Sequence, residues 1–163
     1  MQQSKELAVE WRPIAEVFPY EGNPRRISEQ AVDKVAASIE AFGWRQPIVV
    51  DPAGVIIVGH TRFRAAQQLG LDRVPVHIAD LSAEQARAYR LADNRLAEET
   101  GWDEAKLHLE LGALSAADFD LSLAGFDPVD LSSGDAFAPI DAGEVKPLDR
   151  IDVEKCPACG RPL

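Results

Sequence analysis

Basic residues are in short supply. Seventeen Lys and Arg stand against 27 Asp and Glu in 163 residues, leaving a formal net charge of −10. Coating DNA requires positive surface to neutralise phosphates, so this balance argues against a general DNA-coating role for the chain by itself. Cysteine is nearly absent, with 2 residues, which excludes a disulfide framework and makes the reducing cytoplasm the expected compartment. No apolar run approaches the roughly 18–20 residues that span a bilayer. The polar opening MQQSKE also lacks the features of a signal peptide. Aromatic residues make up only 7% of the chain, yet hydrophobic residues reach 46%. That content excludes a disordered or collagen-like chain and suffices for one compact domain with an appendage.

The deficit of positive charge is local. Residues 1–95 carry 12 basic and 12 acidic side chains, whereas residues 96–163 carry 5 and 15. The C-terminal part is thus either a solvated acidic tail or an element that docks on a basic partner and fends off nucleic acid. Within residues 22–75 the balance tips to 7 basic against 5 acidic, enough for a small anionic ligand and too little for a DNA duplex.

Hydrophobic spacing outlines the elements. Val32, Val35, Ala36, Ile39 and Phe42 recur at three- and four-residue steps, predicting a helix capped by Ser28 and stopped by Gly43. Two β-branched runs, residues 47–50 and 55–58, flank Asp51-Pro52-Ala53-Gly54 and predict a hairpin buried on both faces. A helix follows Gly59, with Phe63, Ala66 and Leu69 facing the core, and stops at Gly70. Residues 74–78 read as a strand whose internal Pro75 predicts an edge position. Ser82 and Gln85 form a capping-box pattern opening a helix to about Glu99. A shorter helix is expected over Asp103–Leu114, and a final packed turn over Phe119–Phe126. Beyond Pro128 the chain is rich in Gly, Pro, Ser and Asp without periodicity, as in a linker or tail. Strands mixed with helices without regular βαβ alternation indicate a small α+β domain.

Three segments have the chemistry to bind an anion and its metal. Gly59-His60-Thr61-Arg62-Phe63-Arg64 lies where a buried strand turns into a helix. Free backbone N–H groups and the helix dipole favour an anion there. Thr61 offers a hydroxyl, Arg62 and Arg64 guanidinium groups, and His60 a hydrogen bond or a proton. Asn23-Pro24-Arg25-Arg26 forms a turn that can present two further guanidiniums. Asp93-Asn94 pairs a carboxylate with an amide, a set suited to Mg²⁺ shared with phosphate oxygens. Each segment alone also fits a plainer role, as a turn or a solvated helix face.

In order, these pieces resemble a known family. Asn23-Pro24-Arg25, the helix, Gln46-Pro47-Ile48-Val49-Val50, Ile56 to Ala66, Gly70-Leu71, Val74-Pro75-Val76 and Asp93-Asn94 look like the N-terminal domain of ParB, in the ParB/sulfiredoxin superfamily. The resemblance covers residues 11–100. It implies a small mixed sheet flanked by helices, with an anion pocket between the Asn-Pro-Arg turn and the Gly-x-x-Arg helix start. In ParB that pocket binds CTP with Mg²⁺, and nucleotide binding closes a clamp around DNA. By position, Arg25 and Arg26 match the basic turn, Gly59 to Arg62 the triphosphate cradle, and Asp93 with Asn94 the pair near metal and phosphate. Gly59-His60-Thr61-Arg62 stands where ParB typically has Gly-Glu-Arg-Arg. Sulfiredoxin carries its catalytic cysteine in this loop, and this chain has none there, which excludes sulfinic-acid reduction.

The Gly-His-Thr-Arg version resembles two other branches. One holds phage and mobile-element proteins in which the domain stands alone or precedes a DNA methyltransferase. Trp102-Asp103-Glu104 and Leu123-Ala124-Gly125-Phe126-Asp127 look like that branch's helical appendage. The other holds ParB-fold kinases for free serine, in which Glu21 or Glu16 would act as base. Residues 101–131 are expected to be too few and too acidic for the helix-turn-helix that reads DNA in ParB. The expected layout is therefore a nucleotide-binding domain over 11–100, a helical appendage over 101–131, an acidic linker over 132–155 and a CxxC segment over 156–163.

Cys156-Pro157-Ala158-Cys159-Gly160 is half of a zinc knuckle. A second chain or a distant histidine would complete it, or it stays unmetallated. The expectation from sequence is a nucleotide-binding domain, for CTP or ATP with Mg²⁺, in a bacterial or phage DNA-handling protein. It would serve partition, modification or packaging, with slow NTPase activity as an added possibility and His60 as orienting or catalytic group. DNA would be reached through a partner such as a methyltransferase, and the chain itself is a candidate homodimer. A serine-type kinase, a nuclease and a non-catalytic adaptor are the alternatives.

Overall fold

The computed structural model describes residues 7–127. Strand β1 (Glu10–Pro13) leads into a short 3-10 turn, Ile14–Glu16, and then into helix α1 (Glu29–Phe42). Strands β2 (Ile48–Val50) and β3 (Ile56–Val58) precede α2 (His60–Gln68) and β4 (Arg73–Ile78). Helices α3 (Ala83–Glu98) and α4 (Glu104–Ala116) and a 3-10 turn, Leu121–Ala124, complete it. The sheet is mixed, in the order β1-β4-β2-β3. Strand β4 runs antiparallel to β1 and parallel to β2, and β2 is antiparallel to β3. This is the expected α+β class, a small mixed sheet flanked by helices.

Local chemistry accounts for the boundaries. Ser28 accepts the Ala31 N–H at 3.1 Å, and Gly43 closes α1 at φ +70°. Ser82 and Gln85 complete both halves of the capping box. In the β2–β3 turn, Asp51 Oδ1 accepts the N–H groups of Ala53 and Val55, each at 2.9 Å. The sheet core holds Val17, Ile48, Val50, Ile56, Phe63, Ala66, Val74 and Val76. A second cluster, Val32, Ala36 and Ala65, joins α1 to α2. Beyond α4, Phe119 stacks on Phe42 of α1 with ring centroids 6.1 Å apart.

The edge position expected for the third strand is corrected. β4 lies inside the sheet, and Pro75 sits opposite Trp11 of β1. Ile14 donates its N–H to the Asp72 carbonyl at 2.9 Å, and bonded pairs alternate along an antiparallel ladder. The Trp11–Pro75 pair is therefore a non-bonded one, and the Pro75 nitrogen faces β2. Pairing with β2 starts only at Ile48–Val76, so the missing N–H falls at the end of that ladder. An interior strand tolerates proline at such a position.

The buried face of α3 also departs from its apolar pattern. Ala86 and Arg90 are the buried residues, while Tyr89, Leu91 and Leu96 are exposed. Among the described residues no helix is long and apolar enough to cross a membrane. The CxxC segment, with Cys156 and Cys159, and the acidic linker lie outside the described residues.

Candidate anion-binding site

The site is built where β3 turns into α2. Gly59 adopts φ +102°, a left-handed conformation that other residues rarely take. A Cβ there would lie 3.4 Å from the Ile48 Cα of the neighbouring strand, so glycine lets the turn hug the sheet. The ladder of α2 opens with the Phe63 N–H on the Gly59 carbonyl at 2.9 Å. The N–H groups of His60, Thr61 and Arg62 precede that ladder, at the positive end of the helix.

These residues line one cleft of about 600 Å³ together with Asn23, Arg25, Asp93 and Asn94. That volume is within the range of small-molecule sites. Apolar side chains line it too, among them Ile27, Val35, Pro47, Val49 and Ile57. Arg62 donates from Nη2 to Gln46 Oε1. Burial lowers the Arg62 pKa, and the Asp93 carboxylate opposes that shift. Arg25 pairs with Glu98 near the end of α3. The bond from Arg25 is the main reason that the Glu98 carboxyl titrates below its ordinary range. Asn94 donates from Nδ2 to the Arg90 carbonyl at 2.9 Å. The amide nitrogen is thus committed, and the oxygen is the group Asn94 can offer a cation.

His60 is tied to the upstream loop. Its Nε2 accepts the Tyr20 N–H at 3.3 Å, a bond that requires the neutral ring with its proton on Nδ1. Burial, and after it the Arg90 cation, lowers the His60 pKa. Asn23 donates its N–H to the Tyr20 carbonyl at 3.1 Å, and Asn23 Oδ1 accepts the Arg25 N–H at 3.1 Å. One chain of bonds therefore runs from His60 to the Arg25 turn.

The sign of the His60 shift carries a stability prediction. The folded protein favours the neutral ring, so the unfolded chain takes up the proton first as the pH falls. Stability is full above the ordinary histidine value of about 6.5 and declines as the pH drops from there to the lowered folded value. Thermal melts from pH 7.5 to 5 should show this decline, and His60→Asn should flatten it. An identical slope in the variant would assign the decline to other groups.

Not every residue named from sequence joins the cleft. Arg64 points to α1, donating from Nη1 to the Ile27 carbonyl at 3.1 Å and pairing with Glu29. Arg26 and Glu21 are exposed and, like Glu16, are not among the cleft residues. Sequence reasoning missed Gln46, which holds Arg62, and Arg90. The signal for Arg90 was its place four residues after buried Ala86 and four before Asn94, on one face of α3. Among the described residues no group of three or more His, Cys, Asp or Glu side chains is arranged to hold a metal. Asp93 with Asn94 suits a Mg²⁺ ion shared with phosphate oxygens rather than a protein-only metal cage.

The chain is similar to several known proteins. The ParB N-terminal domain family matches residues 2–95. A second family, the ParB-methyltransferase HTH domain, matches residues 105–157. This match corrects the expectation that the chain, with residues 101–131 too few and too acidic, lacks such a domain: the matched stretch runs on to residue 157. The ParB-like nuclease domain-containing protein YnaK of Escherichia coli (strain K12) is 42% identical over 73 residues, covering 45% of this chain and 84% of that protein. The nucleoid occlusion protein of Bacillus cytotoxicus is 36% identical over 105 residues, which is 61% of this chain and only 36% of the relative. The chain thus spans little more than a third of that relative's length. The solved structure of C-terminally truncated ParB from Caulobacter crescentus, complexed with CTP-gamma-S, shares the fold at TM-score 0.65 and 24% identity. It covers 76% of this chain and 74% of that one. With the first family spanning more than half its length, the chain belongs to the ParB N-terminal domain family.

Proposed function

We propose that the cleft binds a nucleoside triphosphate, CTP or ATP, together with Mg²⁺. The observation that carries this reading is convergence. Arg25, Thr61, Arg62 and the α2 N-terminus line the same cleft as Asp93 and Asn94, together with apolar side chains. Phosphates would take the guanidinium and backbone donors, and the apolar lining suits a base and ribose. A triphosphate carries more negative charge than Arg25 and Arg62 neutralise, and Asp93 adds to the excess. Mg²⁺ would offset part of that excess, with Asp93 and the Asn94 oxygen as the residues placed to hold it. When bound, the ion screens phosphate charge and orients the chain of phosphates. That the ParB of Caulobacter crescentus was solved with CTP-gamma-S supports the choice of ligand class.

His60 serves as an orienting group, because its Nε2 already accepts the Tyr20 N–H. Asp93 is the one carboxylate among the described residues lining the cleft, which supports binding with at most slow hydrolysis over a nuclease or kinase chemistry. The domain would work in a DNA-handling protein of the cytoplasm, in partition or DNA modification. Its second matched segment, residues 105–157, holds 4 basic and 11 acidic side chains. So acidic a segment favours contact with DNA through a partner protein, of which a DNA methyltransferase is the type suggested by the family match. Zinc at Cys156 and Cys159 remains an expectation from sequence.

A thermal-shift screen of the full chain with CTP, ATP, GTP and ADP, with and without Mg²⁺, tests the reading. Ligand at about 100 times its Kd should stabilise by about 2.7 kcal/mol, a shift of several degrees. The shift should need a triphosphate and Mg²⁺. A flat response to all four would overturn it.

A further inference from the structure

Arg90 is the one charged residue among the described buried side chains, with 5% of its surface exposed. It reaches from α3 into the centre of the site's scaffolding. Its Nε and Nη2 donate to the Ile56 carbonyl of β3 at 3.3 and 3.2 Å. Its guanidinium carbon lies 3.7 Å from the centroid of the Tyr20 ring. A cation desolvated to this degree is costly and persists only where its contacts compensate. The contacts here join three separate parts of the cleft.

The first part is α3 itself, which places Asp93 and Asn94 one turn beyond Arg90. Asn94 returns a hydrogen bond to the Arg90 carbonyl. The second is β3, whose Ile56 lies three residues before Gly59 and the start of α2. The third is the loop that begins at Tyr20 and ends at Arg25, joined to His60 through the Tyr20 N–H. Arg90 therefore touches the elements that carry the phosphate donors, the metal-side pair and the basic turn. It does not itself line the cleft.

We propose that Arg90 is a positioning residue, which by gripping the Ile56 carbonyl and the Tyr20 ring together locks α3, the α2 start and the Tyr20–Arg25 loop into one ligand-ready arrangement. The inference rests on the nucleotide-binding reading for its consequence, and on contacts alone for its mechanism. Loss of the guanidinium frees Tyr20 to drift from His60, and with it the Asn23–Arg25 turn. Asp93 and Asn94 lose their fixed distance from Arg62. The same loss removes a cation beside His60. Arg90 from α3 is the charged group that acts on that ring, while Asp93 acts on Arg62, two residues further along α2.

The test compares the wild-type full chain with Arg90→Met, Arg90→Lys and Arg62→Ala. The readouts are affinity for CTP and ATP with Mg²⁺ by calorimetry, the His60 ring titration by NMR, and folding by thermal melt. Arg90→Met should weaken nucleotide binding about 10-fold, as expected when a binding-competent arrangement becomes a minor population. It should also move the His60 midpoint upward, towards that of a solvated histidine. Arg90→Lys, which keeps the cation, should hold the His60 midpoint near its wild-type value. A folded Arg90→Met protein with unchanged affinity, or with an unchanged His60 midpoint, overturns the proposal. If Arg90→Met fails to fold, Tyr20→Leu takes its place: it removes the ring and keeps Arg90, and unchanged nucleotide affinity overturns the proposal equally. If the wild type binds none of the nucleotides, the functional reading fails. The His60 titration then judges the Arg90 coupling by itself.

Discussion

Replacing Arg62 with alanine should weaken nucleotide binding by roughly 100-fold while leaving the fold intact. A guanidinium that meets phosphate oxygens makes two charge-assisted hydrogen bonds, each worth about 1.5–3 kcal/mol, and about 2.7 kcal/mol already equals 100-fold in Kd. Arg62 is held for that task. Gln46 fixes its Nη2 from the β2 side, and the Asp93 charge opposes the effect of burial from α3. The side chain is half-buried on the first turn of α2 and belongs to neither apolar cluster. Its removal should therefore lower stability by no more than about 1 kcal/mol. Calorimetry beside a thermal melt checks both halves. Binding within a few-fold of wild type would remove Arg62 from the site.

The largest stability effect is expected at Gly54, which does not line the cleft. Gly54 is at φ +84° in the β2–β3 turn, and a Cβ there would fall 2.4 Å from the Glu16 carbonyl oxygen. Its backbone is committed at both ends: its N–H donates to the Asp51 carbonyl and its own carbonyl accepts the Phe18 N–H, each at 2.9 Å. The Ile56 N–H returns to the Phe18 carbonyl at 2.8 Å. The turn cannot yield without breaking the Phe18–Val55 bridge that leads to Tyr20. Gly54→Val combines a left-handed backbone with a backbone clash, and about 3 kcal/mol or more of destabilisation follows. Chemical denaturation should show it as a lower midpoint with an unchanged slope. A midpoint equal to wild type would mean that the hairpin and the Ile14–Glu16 turn are not packed as described.

Much of this architecture was legible because its signals are local. Ser28, Gly43, Ser82 and Gln85 act on backbone groups within a few residues, so the sequence names the helix ends directly. The hairpin was equally plain, with Asp51 and Gly54 between two β-branched runs. What failed to show depends on partners distant in sequence. Strand β1, Glu-Trp-Arg-Pro, has neither alternation nor a β-branched run, and exists because β4 offers it a free edge. Pro75 was misplaced because its tolerance depends on where the β2 ladder begins. The capping box marks where α3 starts but not which face it buries: that face holds Ala86 and Arg90, because Tyr20 and Ile56 provide contacts that make a guanidinium acceptable there.

The candidate site divides along the same line. Gly59, His60, Thr61 and Arg62 are contiguous, and the chain brings Asn23, Arg25, Asp93 and Asn94 to them. Arg64, expected among the anion donors, is the exception. Two positions along a helix from Arg62, it cannot share the same face, and it bonds to α1 instead. Arg26, adjacent to Arg25, is exposed and is not among the residues lining the cleft. The acidic charge that first argued against nucleic acid falls mainly outside the cleft-forming part of the chain. On the proposed reading it bears on how the protein would reach DNA and leaves the cleft untouched.

A cleft that takes a nucleoside triphosphate with Mg²⁺ should give a binding heat. Isothermal titration of the wild-type full chain with CTP and ATP, each with Mg²⁺, tests it most directly. Saturable heat at one site per chain is expected for at least one of them, lost when Mg²⁺ is chelated. No saturable heat with either nucleotide, from protein shown to be folded in the same buffer, would contradict it.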